Sequence, residues 1–112
     1  MKIIDLLKTL GFPVIRQGSL PEGEQYPDSF FTYWNFDTTE ERHLDNQATR
    51  IVLGYWVYFY STDIDLTYSE LERARKLLKA NGFICDERGQ DVASDTPSHT
   101  GRMITVYLIE NE

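Results

Sequence analysis

Imidazole is the side chain that gains and loses a proton near neutral pH, so His43 and His99 are the first residues to test for chemistry. With Asp45 or Asp95 close by in sequence, either could be drawn as a metal ligand or a general base. Nothing in their spacing brings the two histidines together, and both sit in polar stretches where a histidine is ordinarily just solvated. Asp63-Ile64-Asp65-Leu66-Thr67 opens like a calcium loop, but Tyr68 takes the glycine position and Ala74 the place of the bidentate glutamate. Those acids are better placed to favour the dipole of a following helix. Cys85 stands alone, which excludes an intrachain disulfide and a cysteine zinc cage. Following Phe83 and Ile84, it reads as a small apolar residue rather than a nucleophile. There is no glycine-rich phosphate loop and no serine in a nucleophile elbow. Paired carboxylates lie in acidic polar stretches, where they are solvated. The expectation is a protein without catalytic residues, metal or cofactor.

The aromatic residues remain. Trp34, Trp56, Tyr33, Tyr55, Tyr58 and Tyr60 could stack nucleic-acid bases, but such a site also needs a basic groove, and only Arg50 is near in sequence. Eleven basic against eighteen acidic residues give a net charge of −7, which argues against nonspecific binding to nucleic acid or an acidic membrane. Tyrosine and tryptophan combine large apolar area with a polar handle, so the expectation is that these rings serve the core and a protein interface.

The element that must carry them is Thr49 to Thr62, TRIVLGYWVYFYST, a strand of about twice ordinary length. Ile51, Leu53, Tyr55, Val57 and Phe59 form one apolar face, with Ile51, Leu53, Val57 and Phe59 expected to hold a helix. Arg50, Val52, Gly54, Trp56, Tyr58 and Tyr60 form a second face, aromatic with polar tips. Ser29 to Phe36 is a second strand, with Phe30, Thr32, Trp34 and Phe36 on one side and Phe31, Tyr33 and Asn35 on the other. The polar segment Asp37 to Ala48 between them is longer than most hairpin loops and reads either as a loop or as an extension of both strands into a projecting ribbon.

Around these, Ile3, Leu6, Leu7 and Leu10 mark a short helix stopped by Gly11 and Pro13. Val14-Ile15-Arg16 reads as a short strand, and residues 18 to 27, with two glycines and two prolines, as a loop. Thr67-Tyr68-Ser69-Glu70 has the spacing of a capping box before the stripe Leu71, Ala74, Leu77 and Leu78, and Asn81-Gly82 stops that helix. Phe83-Ile84-Cys85 and Arg102 to Ile109 read as a hairpin with a long polar tip. At 112 residues this is one α+β domain, with a mostly antiparallel sheet of four to five strands and two helices on one face. The N-terminal MKIIDLLKTLGF has neither the form of a signal peptide nor the length of a membrane span, so a soluble intracellular protein is expected.

The succession of a short helix and GFPVIRQG, then YPDSFFTYWNF, LDNQ at 44 to 47, IVLGYWVYFYST, YSELERARKLL with NGF, and GRMITVYLIE resembles the phage and prophage tail-terminator and tail-completion proteins. The resemblance covers nearly the whole chain as a pattern of elements. It implies an α+β subunit that self-assembles into a ring, commonly a hexamer, at the end of a tail tube. The ring would meet tail-tube and head-connector proteins, in the host bacterial cytoplasm during assembly and then in the virion. It implies no catalytic residues and no membrane, and the acidic balance suits a lumen through which DNA slides without sticking. The interface is expected at Val52, Trp56, Tyr58 and Tyr60, with His43 and Asp45 in the polar segment. The alternative is a small-ligand or peptide-binding module that uses the even-numbered aromatic face as a cleft.

Overall fold

The computed structural model describes residues 3–16, 27–42, 49–85, 87–93 and 98–111. In chain order these form α1 (Ile3–Lys8), β1 (Val14–Arg16), β2 (Ser29–Arg42), β3 (Thr49–Ser61), α2 (Ile64–Ala80), β4 (Gln90–Val92) and β5 (Thr100–Asn111). The strands make one five-stranded sheet in the order β1-β2-β3-β5-β4, antiparallel except for the parallel pairing of β1 with β2. The fold is α+β, as the pattern of elements implies. Among the described residues no helix is long and apolar enough to cross a membrane.

Alternation along β3 decides which face is covered. Val57 and Phe59 are fully buried with Phe31 of β2 and Ile104 and Val106 of β5. Over them lie Ile3, Leu6 and Leu7 of α1 and Leu71, Ala74 and Leu78 of α2, so both helices cover the same face. Phe59 contacts Phe31 at 4.6 Å between ring centroids and Phe12 at 5.2 Å, edge to face. Each such ring, fully removed from water, contributes about 1.5–3 kcal/mol. Tyr55 sits further along the same face, where the helix layer thins to partly buried contacts, and Leu53 and Ile51 lie beyond the core cluster. The core under the helices therefore takes Val57 and Phe59 from this strand, without Ile51 and Leu53.

The segment from Asp37 resolves in favour of the ribbon. β2 continues as strand to Arg42, pairing through Arg42↔Thr49, so the two long strands pair along their whole described length. A thirteen-residue strand spans roughly 43 Å. That length sets the molecule's proportions, 54 × 28 × 23 Å.

Three further elements differ from their sequence patterns. α2 starts three residues before Thr67, with Asp63 as its cap: the Asp63 carboxylate accepts from the Asp65 N–H at 2.9 Å. Thr67 and Glu70 are buried inside the helix, where Thr67 Oγ1 donates to the Ile64 carbonyl and Glu70 pairs with Arg73. The capping-box spacing is local and occurs within helices as well; Asp63 wins because it sits in extended backbone just before the first turn. Phe83–Cys85 forms no strand, only a single bridge from Ile84 to Tyr107. The strand that pairs with β5 is β4, from Gln90↔Met103 to Val92↔Gly101, inside a stretch too polar to suggest it.

Candidate assembly surface

The face of the sheet away from the helices is built by the even positions of β3 together with their cross-strand partners. Phe30 faces Tyr60, Thr32 faces Tyr58, and Trp34 faces Trp56 across β2 and β3. On the other side, β5 sets Met103 against Tyr58, Thr105 against Trp56, Tyr107 against Gly54 and Ile109 against Val52. Neither helix contributes to this face. Among the described residues the rings stack on one another instead. Phe30 stacks on Tyr60 at 5.4 Å, Tyr58 lies nearly parallel to Tyr60 at 5.9 Å, and Phe36 stacks on Trp56 at 4.8 Å. Such pairs contribute about 0.5–1.5 kcal/mol each beyond burial.

Coverage is graded along the face. Phe30 is 4% exposed, whereas Trp34 is 39% and Ile109 38% exposed. Val52, Trp56, Tyr58 and Tyr60, the interface residues expected from sequence, are all half-buried and all on this face, so the structure brings these four together. His43 and Asp45 lie outside the described residues. Burial pushes the Tyr58 phenol above its ordinary range.

A β-bulge shapes the middle of the patch. The pairing steps from Asn35↔Tyr55 to Asp37↔Gly54, leaving Phe36 as the extra residue. The Asn35 amide holds the bulge by donating to the carbonyls of Asp37 and Gly54, both at 2.9 Å. Phe36 then lies flat on Gly54: a Cβ there would stand 2.7 Å from the ring's Cζ. Glycine at the centre of the longest apolar strand thus makes room for a ring, with Tyr107 packed edge-on at 5.9 Å. Gly101 does the same for Tyr60, whose Cδ1 and Cε1 would be 2.7 Å from an added Cβ.

Thr32 lies under this patch, 7% exposed, and its Oγ1 is the buried side-chain oxygen without a hydrogen-bond partner among the described residues. Arg16 carries its guanidinium 5.5 Å from the centroid of the Trp34 ring.

The other sequence candidates have structural work to do. His99 Nε2 donates to the Pro27 carbonyl at 2.8 Å and its ring meets Phe30 edge-on at 5.9 Å, so it ties the approach to β5 onto the approach to β2. Cys85 is buried, its thiol donates to the Glu87 carbonyl at 3.1 Å, and burial raises its pKa. The edge of β5 beyond β4 is closed by Glu87, whose carboxylate accepts from the Thr105 N–H at 2.8 Å.

A cleft of about 790 Å³ opens on the opposite, helix-bearing face, where α1 gives way to the ribbon. Sequence patterning did not single it out, because its walls come from α1, three strands and the segment after α2. The aromatic face, by contrast, is a broad surface that could not be told from a cleft until its register was known. Comparison with protein-family models gives no match, and none of the curated proteins matches the chain.

Proposed function

We propose that this protein is a structural assembly subunit of the tail-terminator kind, closing into a ring at a tail end and joining tail to head. The observation that carries the proposal is the division of the sheet: both helices cover one face, while the other carries a contiguous row of aromatic rings that, among the described residues, stack on one another, with Arg16 over Trp34 and His99 edge-on to Phe30. Exposed apolar patches of this kind mark protein contacts. In this reading Trp56, Tyr58, Tyr60 and Val52 pack against a neighbouring subunit, with Trp34 at the margin. The β2–β3–β5 ribbon reaches past the helix layer and gives the subunit length to overlap a neighbour or the tube. The unpartnered Thr32 hydroxyl supports the same reading, since a face completed by a neighbour can tolerate a polar group left unsatisfied in the monomer.

The test is sedimentation velocity over a concentration series, with and without purified tail tubes, for the native chain and Trp56→Glu. The expected result is a discrete ring species or tube-bound ring for the native chain, and a folded monomer for the variant. A native chain that stays monomeric at every concentration and ignores tubes would overturn the proposal.

A further inference from the structure

The cleft beside α1 has a composition of its own. Three aromatic rings, Tyr33, Tyr55 and Phe83, contribute to its walls, with Leu53 and Leu108 continuing them as aliphatic surface. Two carboxylates, Asp5 of α1 and Glu110 of β5, stand at its margin, both exposed, and no lysine or arginine lines it among the described residues. Tyr55 and Phe83 are 6.4 Å apart between centroids, and Glu110 and Tyr33 lie close enough to Tyr55 to push its phenol pKa up, after burial as the main cause. The cleft is within the size range of ligand sites, about 300–1,000 Å³. Half-buried tyrosine rings, acids at the rim and an apolar floor are the parts that recognise an organic cation with an apolar stem.

We infer that this cleft takes an arginine or lysine side chain carried on an extended segment of a partner protein. The cationic head meets Tyr33, Tyr55 and the two carboxylates, and the neighbouring apolar side chains of the segment lie on Leu53 and Leu108. A segment fits better than a compact free cation because the cleft opens onto the ribbon. There, Ile51 stands beside Glu110 in the cross-strand register, so an apolar group continues the path of a chain beyond the cleft. The site is on the face opposite the aromatic patch, and its occupancy does not depend on whether that patch forms a ring contact.

Methyl and aromatic NMR titration of the full chain tests this with the blocked peptides acetyl-Leu-Arg-Leu-amide and acetyl-Leu-Glu-Leu-amide, and with tetramethylammonium chloride. The expected result is saturable shifts at Leu53, Leu108 and Phe83 with the arginine peptide, at the millimolar level or tighter, on the order of −4 kcal/mol being about 1 mM. Glu110→Gln combined with Asp5→Asn should weaken that binding about three- to tenfold, and so should raised salt, because both acids are exposed to solvent. Both positions are at the surface, so the variant should keep the native spectrum elsewhere. Equal shifts from the glutamate peptide, shifts outside the cleft, or tetramethylammonium binding as well as the arginine peptide would each overturn the assignment.

Discussion

Placing a methyl group on Gly54 should reverse its effect on stability according to what stands at residue 36. In the native chain the added Cβ meets three atoms of the Phe36 ring at 2.7, 3.0 and 3.2 Å. Ordinary carbon contacts begin near 3.5 Å, so the ring must lift by about 1 Å. Phe36 is half-buried, so it can lift towards solvent, but only by leaving its stack on Trp56. Losing that pair costs about 0.5–1.5 kcal/mol, and some burial is lost with it. Against this stands the gain of about 0.5–1 kcal/mol from replacing glycine in a strand or helix interior. Gly54→Ala should therefore destabilise by roughly 1 kcal/mol, at the low end of overpacking costs. In a Phe36→Ala background the clash is gone, and the same substitution should stabilise by about 0.5–1 kcal/mol. Urea denaturation of the four chains gives the coupling, about 1.5–2 kcal/mol, and near-ultraviolet circular dichroism reports the Trp56 environment directly. Equal destabilisation in both backgrounds would refute the reasoning, since the backbone rather than the ring would then set the cost.

Phe59→Ala should lose about 3–5 kcal/mol of stability by denaturant titration, because the ring is fully buried between Phe31 and Phe12, while Trp56→Ala should lose well under half of that. Thr32→Val should raise stability by about 1 kcal/mol in thermal or urea unfolding, since it replaces a buried unpartnered hydroxyl with a methyl group of similar shape. Asp63→Ala should cost about 1 kcal/mol, read from the same curves, by removing the cap from α2. Arg75 donates to both oxygens of Glu72 and holds its carboxyl below the usual range. The stability this gives is complete above the unfolded-state pKa of about 4.3 and is lost as pH falls through the lower folded value. Glu72→Gln should flatten that acid limb in unfolding midpoints measured from pH 7 down to 3.

How legible these features were depends on how far along the chain the deciding contact lies. β3 declares itself because alternation is read within the strand; how far the helices reach along its apolar face does not, so Ile51 and Leu53 lie beyond the core they were expected to join. β2 declares only its first half: beyond Phe36 its residues are Asp, Thr, Glu and Arg, and their strand state comes from pairing with β3, Ile51, Val52 and Leu53 included, rather than from their own preferences. The capping motif misled because Thr67 and Glu70 satisfy a local spacing, while the cap in use, Asp63, is recognisable only once Ser61 is known to end β3 and to accept from the Asp63 N–H. Parallel pairing of β1 with β2 and the bridge of Ile84 to Tyr107 are long-range facts with no local mark. The four aromatic-face residues could be named from sequence because one strand carries them all; the cleft could not, because no single element contains more than a fraction of its wall.

The bulge at Phe36 also fixes which changes of chain length the ribbon can absorb. Asn35 and Asp37 already face consecutive partners on β3, Tyr55 and Gly54, so removing residue 36 leaves every pair on either side of it unchanged. Removing residue 37 does the same, with Phe36 taking the place opposite Gly54, whereas removing any one residue from 38 to 42 with the bulge kept slides the strand beyond it by a position and turns its outward side chains inward. Phe36 is thus an insertion that the sheet has made room for with one glycine. Single-residue length variation along this ribbon should therefore concentrate at positions 36 and 37, paired with a larger residue at position 54 wherever the phenylalanine is absent.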